Sequence, residues 1–284
     1  MIYPEYCSYI ATELCQWSVA DLFGKNKYHE TVESIRQRLG AVEILYQSVQ
    51  GLSFLHGFGY IHRNLEPTNF WVAIYNENSS KPIYQIKIAN FRYSKNINVL
   101  RENSGTKAED WFAPESAIDG TVSDFSVDVF TTGMYFFYIL FGECHPFAEE
   151  TDVESNSTNS STIFERFQEK GHRIYKWADA NDENAMYDMP WIYKRLKTLY
   201  LSFWRDTAGF VESDTNFLND ALCLIRKMMK HDPLKRLVLK EIPEDGFFQP
   251  KSKKYYKIYA PGQKPGLCII FCNYDFGKQQ VSCY

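Results

Sequence analysis

The chain is organised around the polar stretch His62-Arg-Asn-Leu-Glu-Pro-Thr-Asn69. Before this stretch, apolar residues recur at steps of three or four over residues 35–55. That spacing predicts one face of a long helix, which the glycine-rich residues 56–60 end. After it, residues 69–74 and 84–89 predict two short strands with a polar turn between them. The sequence therefore places a polar loop between a long helix and a strand pair.

Further motifs follow this loop in a fixed order. They are Asn90-Phe-Arg92, Ala113-Pro-Glu115, Asp128 in the apolar run 127–141, and His231-Asp-Pro-Leu-Lys-Arg236. The apolar run predicts a helix that is buried all round, and residues 217–229 predict an amphipathic helix that ends at the last motif. One such tripeptide alone would carry little information, but the ordered series over residues 62–236 is hard to obtain by chance.

The series resembles the motif set of protein kinases, in which the catalytic loop H-R-D-L-x-x-x-N is followed by D-F-G and A-P-E. The resemblance implies a protein kinase-like α+β fold, with residues 1–250 forming a mainly α-helical C-terminal lobe. Residues 1–61 contain neither the G-x-G-x-x-G loop nor the V-A-I-K motif that kinases place before the catalytic loop. We therefore expect the N-terminal lobe to be missing or truncated.

Within the kinases, three segments are similar to the inositol-requiring kinase/endoribonucleases of the unfolded-protein response: Glu13-Leu-Cys15, residues 51–56 and residues 137–147. Residues 9–15 predict a short buried strand, which the resemblance places near the hinge between the two kinase lobes. Glu13 and Cys15 would then lie at the nucleotide. The tail after Phe248 lacks the helical pattern of that family's ribonuclease module, so we expect no ribonuclease activity.

Four departures from the kinase pattern fall where the chemistry takes place. Asn64 stands at the position of the catalytic Asp and cannot accept a proton, and losing a general base lowers a rate by about 10²–10⁴. Asn90 stands at the position of the Mg²⁺-binding Asp, and its neutral carbonyl is a poor substitute for a carboxylate. Glu66 replaces a Lys beside the transferred phosphate, and Arg92 replaces a flexible Gly. Together these changes predict the loss of phosphoryl transfer.

The residues that support the loop match the kinase pattern. Glu115 and Arg236 correspond to a pair that forms a buried salt bridge in kinases, and removing one partner of such a pair destabilises a protein by about 3–5 kcal/mol. Asp128 is expected to brace the catalytic loop through backbone N–H groups, and His62 and Arg63 are in place. The resemblance therefore implies that the scaffold is retained.

Cofactors depend on whether nucleotide binding is retained. If it is, the resemblance implies ATP and Mg²⁺, with Asn69 and Asn90 as the residues that could hold the metal. Because both side chains are amides, we expect Asn69 to hydrogen-bond the backbone instead.

The resemblance also implies a regulatory role for Arg63, since the equivalent Arg in kinases can bind a phosphorylated activation loop. Ser94, Ser104 and Thr106 are the acceptors available for phosphorylation. We interpret these three as ordinary loop hydroxyls.

Two parts of the chain add to the kinase pattern. Residues 148–216 form an insert, which is acidic and rich in Ser, Thr and Asn over 148–162 and has no assignment over 163–216. Residues 251–284 form a tail, in which residues 256–259 and 264–276 resemble the segment that opens the large subunit of caspases. The alternative is a generic apolar strand after a Pro/Gly turn. Cys268 matches a strand position of that segment and not the nucleophile, so we expect no protease activity.

The composition of the 284 residues excludes several classes of protein. Apolar residues make up 45%, which argues against a disordered chain, and the net charge of −4 gives no sign of a nucleic-acid or membrane partner. Seven cysteines without a C-x-x-C pattern indicate reduced thiols and not a zinc site. No apolar stretch reaches the roughly 20 residues of a membrane span, so we expect a soluble, cytoplasmic protein.

Three hypotheses for function remain open from the sequence. The first is a catalytically impaired protein-kinase-like domain that binds or regulates other proteins, including a related kinase. The second is a fragment of an ATP-dependent serine/threonine kinase of the unfolded-protein-response type. The third is an adaptor that links the kinase-like lobe to a caspase-like module.

Overall fold

The computed structural model describes residues 12–24, 29–99, 111–117, 124–142, 145–147, 178, 197–198, 200–201, 204, 215–248, 272–275 and 280–283. The helices and strands are β1 (Trp17–Ser18), α1 (Glu30–Gly57), β2 (Tyr60–Ile61), β3 (Phe70–Tyr75), β4 (Ile83–Ile88), β5 (Lys95–Asn96), α2 (Phe125–Leu140), α3 (Thr215–Met228), β6 (Cys272–Asp275) and β7 (Gln280–Cys283). No helix within these ranges has both the length and the apolar character needed to cross a membrane.

Helix α1 confirms the long helix predicted from the apolar spacing. It begins after His29, whose ring Nδ1 accepts a hydrogen bond from the Thr31 N–H at 3.2 Å. The predicted face is buried over most of its length, from Ile35 to Leu55. The spacing did not reveal a break at Gly40, where φ is +67° and ψ is 167°. Glycine adopts this backbone conformation without the steric penalty that other residues have.

The strand pair is also confirmed, and it forms an antiparallel sheet in the order β1-β3-β4. Phe70 lies opposite Ile88 and Trp71 lies opposite Lys87. Residues on the face with Phe70 and Ile88 belong to the hydrophobic core that includes α1. A polar contact also joins the helix to the sheet, since the Ile86 N–H donates to the Gln47 side-chain oxygen at 2.7 Å.

The short buried strand predicted over residues 9–15 is wrong for the part that the structure describes. Residues 12–16 are not in a strand, and Leu14 is 81% exposed. Backbone pairing with β3 begins only at Trp17. A segment with no strand partner does not bury alternate side chains against a sheet, so the apolar Leu14 lies in solvent.

Helices α2 and α3 form the second half of the core. The Asp124 carboxylate accepts the Ser126 N–H at 2.7 Å at the start of α2, and α2 is buried all round as predicted. Gly133 lets the end of α3 approach closely, since a Cβ there would lie 3.1 Å from Cβ of Met228 and 2.7 Å from Cγ of the following Met229. The amphipathic helix predicted over residues 217–229 is confirmed as α3.

Part of the unassigned segment 163–216 belongs to this core. Ala178, Tyr200 and Trp204 are buried, and the Trp204 indole N–H donates to the Ile139 carbonyl at 3.0 Å. The acidic residues 148–162 lie outside the described residues, as does the part of the 264–276 segment before residue 272.

Candidate functional site

The polar loop of residues 62–69 follows β2 and is anchored by a buried carboxylate on α2. The Asp128 Oδ2 accepts hydrogen bonds from the His62 backbone N–H at 2.7 Å and from the His56 side chain at 2.8 Å. Its Oδ1 accepts the Arg63 backbone N–H at 2.8 Å. Burial alone would raise the pKa of Asp128, but the hydrogen bond with the His56 side chain and that with the Arg63 backbone N–H help to lower it below its ordinary value. The backbone contacts expected for Asp128 are therefore present, and they fix where the loop begins.

His62 ties the loop to the end of β4. Its Nε2 donates to the Ala89 carbonyl at 2.9 Å, and its Nδ1 accepts the Asn64 N–H at 3.3 Å. Burial lowers the pKa of His62 despite the nearby Asp128 carboxylate. The ring is therefore neutral with its proton on Nε2, and it lies 5.2 Å from the Phe91 ring, centroid to centroid.

Arg63 lies in the same loop with a positive φ of 66°. The residue is only 4% exposed, yet Nε and Nη2 of its guanidinium have no hydrogen-bond partner among the described residues. Burial lowers its pKa, and the Asp128 carboxylate opposes that effect. Ser94 donates its hydroxyl to the His62 carbonyl at 3.3 Å, whereas Ser104 and Thr106 lie outside the described residues.

Three side chains of the predicted site, those of Glu66, Asn69 and Asn90, form one connected group with the backbone carbonyl of Asn64. The Asn69 Nδ2 donates to the Asn64 carbonyl at 2.8 Å and to the Glu66 carboxylate at 3.1 Å. The Asn90 Nδ2 donates to the Asn69 Oδ1 at 3.1 Å. These contacts fix the orientation of both amides, because the Asn69 NH₂ group is required on the side of Asn64 and Glu66. The Oδ1 of Asn69 therefore faces Asn90, and Asn90 presents a donor to it.

This arrangement does not fit a divalent metal ion. Mg²⁺ is held by oxygen ligands, usually with at least one carboxylate. Here the Asn69 oxygen is engaged by the amide nitrogen of Asn90, and neither residue carries a charge. Among the residues that the structure describes, no group of three His, Cys, Asp or Glu side chains is placed to hold a metal. Asn69 hydrogen-bonds the backbone of Asn64, as the sequence led us to expect.

The predicted nucleotide-contact residue Glu13 is held against the sheet by two partners that sequence reasoning missed. Its carboxylate accepts the Tyr75 hydroxyl and lies 3.1 Å from the Lys87 Nζ. Burial acts to lower the pKa of Lys87, but the hydrogen bonds with Tyr75 and Glu13 raise it overall. The available signal was a single lysine inside the apolar strand β4. Cys15 is half-buried two residues further on, and contact of Glu13 or Cys15 with a nucleotide stays a prediction.

The ion pair of Glu115 and Arg236 joins residues 114–117 to the segment that follows α3. The Arg236 guanidinium binds the carboxylate with two nitrogens, at 2.5 and 2.7 Å. Its remaining N–H groups donate to the carbonyls of Ser126, Lys230 and His231, at 2.7 to 3.1 Å. All five donors of the guanidinium are therefore used, and its side chain has no exposed surface. The salt bridge implied by the kinase resemblance is present.

Comparison with known proteins agrees with this geometry. The model of the protein kinase domain family matches residues 3–248. The sensor for unfolded proteins in the ER of Schizosaccharomyces pombe is 29% identical over 191 residues, which cover 57% of this chain and 17% of that protein. The serine/threonine-protein kinase/endoribonuclease IRE1 of Oryza sativa subsp. japonica is 28% identical over 238 residues, 75% of this chain and 26% of the relative.

A human relative, the serine/threonine-protein kinase/endoribonuclease IRE2, is 28% identical over 171 residues, 58% of this chain and 18% of its own length. The chain thus spans about a quarter or less of these relatives. The resemblance to protein kinases and to kinase/endoribonucleases of this type is confirmed. The chain belongs to the protein kinase domain family.

Proposed function

We propose that this chain is a catalytically impaired kinase domain that acts in the cytoplasm as a binding or regulatory module in stress signalling. Its partners would be other proteins, with a related kinase as the first candidate. The observation that carries the proposal is that amides stand at positions 64 and 90, where a kinase needs a base and a metal-binding carboxylate, and that the Asn90 amide donates to the Asn69 oxygen. The relatives named as a sensor for unfolded proteins and as kinase/endoribonucleases support the link to stress signalling.

The impairment has two independent causes in the site. Asn64 cannot take the proton of a substrate hydroxyl, because an amide is not a base at neutral pH. The only carboxylate in the group, Glu66, accepts a hydrogen bond from Asn69 and stands where a cation normally meets the transferred phosphate. A negative charge there repels phosphate oxygens, so it opposes the reaction even when a nucleotide binds.

The support for a binding role is that the scaffold around this altered site is intact. Asp128 still anchors the loop through two backbone hydrogen bonds and binds the His56 side chain of α1, and Arg236 still uses all five donors. A protein that keeps these buried polar networks retains a defined surface, because such networks stabilise one arrangement of the core. Retained shape without a competent site is what a regulatory module requires.

A phosphate-transfer assay tests the catalytic part of the proposal. The purified full-length chain is incubated with radiolabelled ATP and Mg²⁺, with and without a generic protein substrate. We expect no incorporation above that of Asn64→Ala, since the native amide already lacks a base. Incorporation by the native chain that Asn69→Ala abolishes would mean that the chain is an active kinase, which is the alternative of an enzyme fragment.

The regulatory part needs a separate measurement. An active kinase of the same family from the same organism is titrated with this chain, and both its binding and its catalytic rate are followed. We expect saturable binding with a change in rate. If neither appears at high micromolar concentrations, a related kinase is not the partner. Sequence-based expectations of ATP binding are checked in parallel by the shift of the thermal unfolding midpoint with ATP, with and without Mg²⁺.

A further inference from the structure

Two segments that are distant in sequence meet beside the altered site and are tied by backbone and side-chain hydrogen bonds. The Ala89 N–H donates to the Asn69 carbonyl at 2.9 Å, and the His62 side chain donates to the Ala89 carbonyl at 2.9 Å. Strands β2 and β5 pair on the other side of the same junction. The loop of residues 62–69 and the segment 89–96 are therefore joined at several points.

A further hydrogen bond between the two segments joins two side chains, and we call it the tie. Asn90 is exposed, and its amide donates to the buried Asn69 Oδ1. Asn90 has a φ of +61°, which asparagine adopts more readily than most residues. Directly after it, residues Phe91–Tyr93 turn in a 3₁₀ helix, and Phe91 lies against the His62 ring. The tie thus fixes the point at which the chain leaves β4.

In this contact an N–H donor faces the Asn69 oxygen, in the place where a metal site would have a cation. If residue 90 were an aspartate, its carboxylate would face the Asn69 oxygen, since the NH₂ group of Asn69 is bound to Asn64 and Glu66. Two oxygen acceptors would then repel each other unless a cation lay between them. The amide of Asn90 supplies a positively polarised N–H at that point instead, so no ion is needed.

We propose that the Asn90 amide replaces a bridging cation as the tie between the loop of residues 62–69 and the segment after β4. The site consequently reaches its assembled arrangement without metal or nucleotide. This holds whether or not the chain regulates another kinase, and its failure would leave the argument from Asn64 against catalysis unaffected.

The test compares the full-length native chain with Asn90→Asp and Asn90→Gly by thermal unfolding in EDTA and in millimolar MgCl₂. Gly adopts a positive φ freely, so Asn90→Gly removes the tie without backbone strain. Asn98→Asp is the matched control, because Asn98 is also exposed and receives the same added charge. Hydrogen exchange of residues 89–95 reports the junction itself.

We expect the native Tm to be the same in EDTA and in Mg²⁺. In EDTA, both variants at position 90 should lose about 2–4 °C in Tm, the effect of one net hydrogen bond in a protein of this size. The same loss should make amide exchange over residues 89–95 about fivefold faster. Mg²⁺ should restore the Tm of Asn90→Asp but not that of Asn90→Gly. The Tm of Asn98→Asp should equal that of the native chain in both EDTA and Mg²⁺.

Three results would overturn the proposal. The first is a native Tm that rises with Mg²⁺ alone, which would mean that the native site takes the ion. The second is Asn90→Gly with native Tm and native exchange, which would mean that the tie contributes nothing. The third is Asn90→Asp that Mg²⁺ does not restore, because the amide would then not be standing in for a cation.

Discussion

The ion pair of Glu115 and Arg236 offers the sharpest quantitative test of how this domain is held together. Glu115→Gln keeps the shape of the side chain and removes its charge. The guanidinium then stays buried with no counter-ion, although three backbone carbonyls still accept hydrogen bonds from it. The face of the Phe130 ring, 4.8 Å from the guanidinium carbon, also remains.

The expected loss of stability follows from these contacts. Removing one partner of a buried pair destabilises a protein by about 3–5 kcal/mol, and the remaining acceptors place Glu115→Gln near the lower end, at about 3 kcal/mol. For a protein of this size that corresponds to a fall in Tm of about 6–12 °C. The comparison is Lys235→Ala, which breaks the exposed pair of Lys235 and Asp232 at 3.8 Å and should change stability by less than about 1 kcal/mol.

Urea unfolding followed by far-ultraviolet circular dichroism measures both variants, with the slope m checked for each. An unchanged m with a lower midpoint for Glu115→Gln alone supports the reasoning. If Glu115→Gln falls within 1 kcal/mol of the native chain, or no further than Lys235→Ala, the ion pair does not hold the segment after α3 onto residues 114–117.

Three further predictions concern packing, pH and the sheet. Gly133→Ala should destabilise the protein by about 1–2 kcal/mol, because the new Cβ would lie 2.7 Å from Cγ of Met229, directly after α3. Gly57→Ala, with nothing within 4 Å of its new Cβ, should be neutral or stabilising, and equal Tm values for the two variants would contradict this. The depressed pKa of His62 means that stability should be present above the unfolded pKa of about 6.5 and fall as pH is lowered below it, by up to about 1.4 kcal/mol per pH unit until the folded pKa is reached. His62→Gln should lose that part of the slope in urea titrations at pH 7.5, 6.5 and 5.5 (values chosen to bracket about 6.5), and an unchanged slope would count against a neutral buried ring. Lys87→Met should destabilise the protein by about 1–2 kcal/mol, which is less than the loss of one partner of a fully buried pair because Glu13 is 29% exposed. Glu13→Gln should have an equal effect on urea unfolding if the two residues act as a pair.

The sequence predicted the elements that depend on a local repeat. Apolar residues spaced for a helix predicted α1, and two short β-like runs separated by a polar turn predicted β3 and β4, because each pattern is complete within a short window. The prediction over residues 9–15 failed since a strand needs a partner, and the pattern of one segment does not reveal whether the neighbouring edge pairs with it. Trp204 was unassigned for a similar reason, since its burial depends on a contact with Ile139 that lies 65 residues away in sequence.

Family membership and the substituted positions were readable from the sequence alone. The identity and order of the motifs at Asn64, Asn90, Glu115 and Arg236 establish which residue types are present, and residue type decides whether a group can act as a base or carry a charge. The loss of the acids at positions 64 and 90 therefore needed no coordinates.

What only the tertiary structure decided is how the remaining polar groups satisfy one another. The orientation of Asn69 follows from donors and acceptors that the fold brings together from residues 64, 66 and 90, and nothing in the linear order specifies it. The pairing of Glu13 with Lys87 likewise joins residues that are distant in the chain. Buried polar groups must find partners, and which partners lie within hydrogen-bond distance is a property of the folded arrangement and not of the sequence pattern.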